Sequence, residues 1–190
     1  MSTIEEHPFT PFLPDNARLL MLGTFPPAPK RWCMEFYYPN FTNDMWRIFG
    51  ICFFADKEHF VIDGKKTYDL PAIIDFLNEK GVALYDTARR VVRTKNTASD
   101  KDLMIVEQTD FDCMLRQLPQ CKSVATAGQL ATTVFCRHYN LAEPTVGNFT
   151  EFTFEDRTMR LYRMPSSSRA YPMRIEAKAE VYRKMFDNLF

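Results

Sequence analysis

Residues 18–27, RLLMLGTFPP, place a short apolar run directly before a glycine and two prolines. An apolar run of this length, bounded by turn residues, is typical of a strand buried on both faces. Two similar runs follow, Val82–Tyr85 before Asp86 and Ser123–Ala127 before Gly128. We therefore predict three buried strands, each ending at a glycine or a polar residue.

Helical patterns separate these strands. Apolar residues at helical spacing predict five helices, at Asn43–Phe53, Asp69–Lys80, Asp110–Leu118, Gln129–His138 and Ile175–Leu189. Two further short runs, Phe149–Phe154 and Met159–Arg163, predict a hairpin or a final strand. Alternation of strands and helices indicates an α/β fold, a parallel sheet with helices on both faces.

The length and composition limit the class of protein. With 190 residues, 46% of them hydrophobic, we expect one domain spanning residues 1–190. No run approaches the roughly 18 apolar residues of a membrane span. The opening MSTIEEHPFTPF lacks the basic start and apolar stretch of a secretory signal. We expect a cytoplasmic protein with no membrane partner.

The cysteines and histidines argue against a metal or a disulfide framework. The five cysteines include no CxxC pair, and the three histidines lie far apart in the sequence. Scattered thiols of this kind are expected to stay reduced. We therefore expect no metal site and no cofactor.

Charge is balanced overall but unevenly distributed. Lysine plus arginine and aspartate plus glutamate each number 24, which argues against indiscriminate nucleic-acid binding. Two basic stretches nevertheless lack any acid: Thr87–Ala98, with Arg89, Arg90, Arg93 and Lys95, and Arg157–Arg174, with five arginines. They indicate either a local contact with an anionic partner or solvated faces.

Unusual residues gather where the predicted strands end. In a parallel sheet, ligands bind beyond the carboxyl ends of the strands. Here those ends are residues 23–27, 86–90, 128 and 164–169, which contain glycines, prolines, serines and arginines. The sequence therefore predicts a binding site at that edge.

Five segments carry a resemblance to a known family: LLMLGTFPP, EFYYPNFTNDMWRIF, VALYDTARR, SVATAGQLA and RMPSSSRA. In this order and spacing they resemble the uracil-DNA glycosylase superfamily, most of all its hypoxanthine-DNA glycosylase branch, which is related to the mismatch-specific glycosylases. The resemblance extends over about Pro8 to Phe186.

It implies a three-layer α/β/α fold around a central, mostly parallel four-stranded sheet. It also implies a monofunctional DNA glycosylase of base-excision repair; we expect a monomer, because the sequence has no coiled-coil pattern. Such an enzyme hydrolyses the N-glycosidic bond of a deaminated base, uracil or hypoxanthine, that is flipped out of DNA.

The resemblance assigns the walls of a base pocket. Tyr37 and Tyr38 match the paired aromatics that stack a base, with Tyr38 the first choice by its spacing from the following asparagine; a buried core tyrosine is the alternative. The first loop, Gly23 to Pro26 with Thr24 and Phe25, and Gly128 would contact the substrate. Phe25 replaces the Asp or Asn of the uracil and mismatch enzymes, so this side chain cannot activate water. The loop's backbone amides could still hold a carbonyl oxygen of the base.

Two residues match catalytic positions. Asn43 corresponds to the asparagine of the hypoxanthine branch, and its amide can accept from a water or donate to a carbonyl oxygen. The alternative is an asparagine that caps the following helix. Asp86 lies where the uracil-specific enzymes keep an asparagine, and its carboxylate would accept from a base edge or a water. An aspartate that caps the turn before TARR is equally compatible.

The segment MPSSSR occupies the place of the family's minor-groove loop. The resemblance assigns DNA contacts to Arg163, Ser166, Ser167, Ser168 and Arg169, and the other basic stretch adds Arg89. Arg169 or Tyr171 would fill the vacated base stack. Met164 replaces the histidine of the uracil branch. A plain strand-to-helix linker is the alternative.

Two other functions remain open at this point. The replacements at Phe25 and Met164 are also compatible with a module that binds nucleic acid or a nucleotide without cleaving it. A hydrolase or transferase acting on free nucleosides is a third possibility, because one fold can host many chemistries. The basic stretches favour a polymer over a nucleoside.

Overall fold

The computed structural model describes residues 3–95, 97 and 99–190. Its strands are β1 (Ile4–Glu6), β2 (Leu19–Gly23), β3 (Val82–Asp86), β4 (Ala88–Arg93), β5 (Leu103–Gln108), β6 (Ser123–Ala127), β7 (Phe149–Phe154) and β8 (Arg157–Met164). Its α-helices are α1 (Met45–Phe54), α2 (Leu70–Lys80), α3 (Phe111–Arg116), α4 (Gln129–Tyr139) and α5 (Ile175–Asp187). Each predicted helix and strand therefore has a counterpart, with ends that differ by at most two residues.

The main sheet has five strands rather than the predicted four. Its order is β3-β2-β6-β8-β7; the first four strands are parallel, and β7 pairs with β8 antiparallel at one edge. The sequence left a hairpin or a single final strand open here, and the hairpin forms. Gly23 lies opposite Asp86, and Ala127 lies opposite Met164. The parallel register thus brings the carboxyl ends of these strands to one edge.

A second sheet was not predicted. Strands β1, β4 and β5 form a three-stranded antiparallel sheet in the order β1-β4-β5. Strand β4 follows β3 after the single residue Thr87, so the basic stretch 87–98 begins as a strand. Asn96 and Ala98 of that stretch lie outside the described residues. Charged side chains at five of the nine positions of β1 and β4 hide the strand pattern, because only tertiary pairing gives those charges their partners.

The helix ends follow from local sequence. The Asp69 side chain accepts a hydrogen bond from the Ala72 N–H at 3.1 Å, and Gly81 ends α2 in the left-handed region at φ 68°. Asp110 caps α3 in the same way through the Cys113 N–H at 2.9 Å. These caps explain why both helices begin where predicted, and Gly81 explains where α2 ends; α3 ends at Arg116, two residues before the predicted Leu118.

One continuous core connects the helices to the main sheet. Trp46 is 1% exposed, as expected of a structural residue, and Phe49 packs on Phe186 with ring centroids 5.1 Å apart, which joins α1 to α5. Within the described ranges, no helix combines the length and the apolar character needed to cross a membrane.

Candidate functional site

A cavity of about 280 Å³ opens at the carboxyl ends of β2 and β3. Most of the predicted site residues line it: Gly23, Thr24, Phe25, Pro26, Tyr37, Tyr38, Asn43, Asp86, Ser166, Ser167, Ser168 and Arg169. The predicted first loop, the tyrosine pair, the asparagine and the serine segment thus meet around one space. Ala127, Asp100, Asn40 and Arg31 also line it.

Three predicted residues are not among those that line the cavity. Gly128 directly follows the lining residue Ala127. The Arg163 guanidinium donates to the Pro144 carbonyl at 3.1 Å and to the Gln129 side chain, so internal acceptors occupy it. Arg89 lies on β4, and its exposed side chain pairs with Glu107 at 3.3 Å.

The basic stretch on β4 has acidic partners from neighbouring strands. Arg90 pairs with Glu6 at 2.9 Å, and Arg93 pairs with Glu5 at 3.0 Å. The stretch contains no acid in sequence, but β1 supplies two across the sheet. Its positive charge is therefore largely compensated in the folded chain.

The Asp86 carboxylate lies at the cavity wall, and its position depends on Gly23. A Cβ at residue 23 would be 2.4 Å from the Asp86 Oδ1 atom, closer than real Cβ contacts allow. The other carboxylate oxygen, Oδ2, lies 2.9 Å from the Nε2 atom of His7. Sequence reasoning missed His7, because 79 residues separate it from Asp86 and no local pattern surrounds it.

A second carboxylate, Asp100, lines the cavity and was also missed. The Thr24 hydroxyl donates to its Oδ2 atom at 2.8 Å. Burial raises the pKa of Asp100 above its usual range; the Thr24 hydrogen bond opposes this, and the negative charge of Asp86 adds to it. The cavity wall therefore contains two carboxylates, Asp86 and Asp100.

The two tyrosines play different parts. Tyr37 is 2% exposed, and its hydroxyl donates to the Thr10 carbonyl at 2.7 Å, so it is mainly a core residue. Burial and the nearby Asp86 charge raise its pKa. The Tyr38 ring is only partly buried, and it packs edge-on against Trp46. Its hydroxyl is buried and makes no hydrogen bond to any described residue.

Asn43 bonds to the first residue of α1 from the position before the N-cap residue Asp44, and it also lines the cavity. Its Oδ1 atom accepts a hydrogen bond from the Met45 N–H at 2.9 Å, as expected of a capping asparagine. Among the described residues its amide nitrogen has no hydrogen-bond acceptor. The capping role and a catalytic role are thus compatible, since they use different atoms of one amide.

The serine turn, Pro165–Ser168, is anchored through its carbonyl groups. The Tyr182 hydroxyl donates to the Pro165 carbonyl at 2.9 Å. The Asp44 N–H donates to the Ser167 carbonyl at 2.9 Å. Lys178 Nζ donates to the Ser168 carbonyl at 2.8 Å. With these acceptors bound, the hydroxyl groups of the turn remain as donors at the cavity. Such donors suit phosphate or carbonyl oxygens.

A buried ion pair fixes the same turn to α1 and α5. Lys178 is fully buried, and its Nζ atom lies 2.9 Å from Asp44 Oδ2. The partly exposed Arg169 lies 3.5 Å from the other oxygen of Asp44. A lysine on an amphipathic helix normally lies in solvent, so its burial could not be predicted from sequence.

In the residues described, no group of three or more His, Cys, Asp or Glu side chains is placed to hold an ion.

Comparison with known proteins gives a similarity of fold to a solved structure. No protein-family model and no curated protein matches the chain. The chain is similar to the solution NMR structure of a putative uracil DNA glycosylase from Methanosarcina acetivorans. The TM-score is 0.60 at 20% sequence identity, covering 97% of this chain and 99% of the other. At this identity the likeness shows that the two chains share a fold.

Proposed function

We propose that this chain is a monofunctional DNA glycosylase that hydrolyses the N-glycosidic bond of a deaminated base, uracil or hypoxanthine, flipped out of DNA. One observation carries the proposal: the Asn43 amide, the Tyr38 ring and the serine turn line the same cavity. The shared fold with a protein described as a putative uracil DNA glycosylase supports it.

The cavity provides separate surfaces for the base and for the DNA backbone. Its volume of about 280 Å³ is close to the lower end of the ligand pockets of proteins, roughly 300 Å³, which suits a single base. The partly buried Tyr38 ring gives that base a stacking surface. The serine turn and Arg169 would hold the flanking phosphates as positioning contacts.

Asn43 would act on the leaving base. Its free amide nitrogen can donate to a carbonyl oxygen on which negative charge develops as the glycosidic bond breaks. The backbone amides of the first loop, at Gly23–Phe25, would hold a second carbonyl oxygen or the same charge. A dissociative transition state needs such stabilisation more than it needs a strong base.

The experiment measures base release by wild type, Asn43→Ala and Asn43→Ser. Oligonucleotides carrying uracil or hypoxanthine, single-stranded or mispaired, are incubated with each protein, and abasic sites are scored after alkali. We expect wild type to release a base, and both variants to lose about 10²-fold or more of that rate. The serine variant separates the two roles, because serine also caps helices.

The stability of the same proteins provides the control. Asn43→Ala should lose about 1 kcal/mol of unfolding free energy with the cap, whereas Asn43→Ser should lose little. Full activity in both variants would exclude Asn43 from the chemistry.

A second candidate is a module that binds DNA without cleaving it. Met164 is 1% exposed and belongs to the core, so the position offers no cationic partner for a leaving base. DNA binding by wild type with no release from any of these oligonucleotides would select this function. Release from free nucleosides alone would select a nucleoside hydrolase or transferase.

A further inference from the structure

The strongest unused feature of the cavity is the pair formed by His7 and Asp86. Their side chains are 2% and 9% exposed, and the His7 Nε2 and Asp86 Oδ2 atoms are 2.9 Å apart. A charged or polar pair this deeply buried must satisfy its hydrogen bonds internally. His7 is therefore the main group that fixes one oxygen of Asp86.

The His7 ring is itself held in place on several sides. Its Nδ1 atom lies 2.9 Å from the Phe9 carbonyl oxygen, and its main-chain N–H donates to the Arg89 carbonyl at 2.8 Å. The rings of Tyr85 and Phe25 pack against it, with centroids 4.6 and 5.3 Å away. The imidazole can therefore hold the carboxylate in one orientation.

The free oxygen of Asp86 and an unpaired hydroxyl both lie within 4 Å of one point beside Gly23. Asp86 Oδ1 and the Tyr38 hydroxyl lie 2.4 and 3.8 Å from a single point, the place where a side chain at Gly23 would begin. Asp86 Oδ1 has no hydrogen-bond donor among the described residues, and the buried Tyr38 hydroxyl has no partner there either. A buried hydroxyl without a partner costs about 1–3 kcal/mol, so a bound molecule that bridges both oxygens would be stabilised.

We propose that Asp86 Oδ1 and the Tyr38 hydroxyl bind the attacking water, that Asp86 is the general base, and that His7 is its positioning residue. This inference rests on the proposed glycosylase function. The oxygen of the water forms a bond to C1′ while the bond from C1′ to the base nitrogen breaks. The base leaves with the electron pair as an anion, and the proton of the water passes to Asp86. Asp86 would thus supply the general base that the Phe25 side chain in the first loop cannot provide.

The test compares His7→Leu, His7→Gln and Tyr38→Phe on the oligonucleotide that wild type cleaves best. His7→Leu removes the partner of Asp86, so kcat should fall about 10-fold or more while KM changes little. The glutamine amide reaches the same oxygen, so His7→Gln should recover most of that loss. Tyr38→Phe keeps the ring and removes only the hydroxyl, and it should lower kcat with KM unchanged.

A readout other than activity is the nitrogen chemical shifts of the His7 ring in wild type and Asp86→Asn. Loss of the carboxylate should move the Nε2 signal, whereas an unchanged signal would overturn the pairing. Thermal unfolding identifies any variant that does not fold.

The two proposals fail in different ways. Active wild type together with folded, fully active His7→Leu overturns this inference and leaves the glycosylase function standing. A wild type that releases no base from any oligonucleotide overturns both.

Discussion

At the scale of single residues, the cavity depends on the absence of a side chain at Gly23. Gly23 has no side chain, and the space beside it contains a carboxylate oxygen of Asp86. The sequence marks this glycine as the end of a strand. The parallel register sets Gly23 opposite Asp86, and only this register shows that the missing side chain of Gly23 makes room for the Asp86 carboxylate.

The raised pKa of Asp100 predicts how one residue affects stability. The pKa of Asp100 in the folded chain lies above the ordinary value of 3.8. As the pH rises from 3.8, Asp100 therefore loses its proton in the unfolded chain before it does so in the folded chain. Stability is therefore lost as pH rises through the folded-state pKa. Asp100→Asn carries no charge and still accepts from Thr24, so at neutral pH it should unfold at a higher temperature than wild type.

Thermal unfolding across pH checks this prediction. The difference in melting temperature between Asp100→Asn and wild type should shrink as the pH falls toward 3.8. A difference that stays constant with pH would show that the carboxylate charge is not its cause.

At the scale of elements, the serine turn owes its shape to two helices. Tyr182 and Lys178 of helix α5, and Asp44 directly before α1, donate the hydrogen bonds that hold the turn. The turn follows β8 directly, and these contacts fix it at the rim of the cavity. A plain linker would not need three of its carbonyl groups hydrogen-bonded to the core.

Loss of Lys178 should show how much the buried pair contributes. Lys178→Met leaves the Asp44 carboxylate buried with only the solvent-exposed Arg169 as a partner, and should lower the free energy of unfolding by about 3 kcal/mol. Adding Asp44→Asn should restore part of that loss, because the uncompensated charge is removed. Chemical denaturation of the two single variants and the double variant measures the coupling; additive effects would contradict it.

At the scale of the whole molecule, neutral net charge conceals an uneven surface. The arginines of β4 are paired across the second sheet, whereas Arg169 lies at the rim with its side chain 59% exposed and shares the Asp44 carboxylate with the buried Lys178. It lines the cavity and also a neighbouring groove that contains Lys57 and Arg174. This rim is where a DNA backbone would meet net positive charge, because four cations of the groove outnumber its two carboxylates: Arg47, Lys57, Arg169 and Arg174 against Asp44 and Glu58.

Arg169→Ala should therefore weaken DNA binding and reduce its salt dependence. Loss of one phosphate contact lowers the slope of log affinity against log salt by about 0.7–0.9. Arg116→Ala is a matched control, because its side chain is 58% exposed and paired with Glu155 at 2.8 Å, yet it does not line the cavity. Equal slopes for wild type and Arg169→Ala would remove Arg169 from the phosphate contacts.

Much of the fold could be predicted from the sequence. Apolar runs that end at Gly23 and Gly128 have the length and boundaries of buried strands, and the Asp69 cap and Gly81 bound a helix by local chemistry alone. The strand ends, and with them the location of the cavity, follow from the same patterns. The second sheet could not be predicted, because the charged residues of β1 and β4 obscure the apolar pattern typical of strands and find their partners only when the strands pair.

The amino-acid sequence by itself determined the order of the main elements and the edge of the sheet at which Asn43, Tyr38 and the serines meet. These depend on local periodicity and on the rule that parallel strands end together. Tertiary structure alone decided the pairing of His7 with Asp86, of Asp100 with Thr24 and of Lys178 with Asp44. Each pair joins residues at least 76 positions apart, and a hydrogen bond between such groups depends on distance in space, which no local pattern encodes.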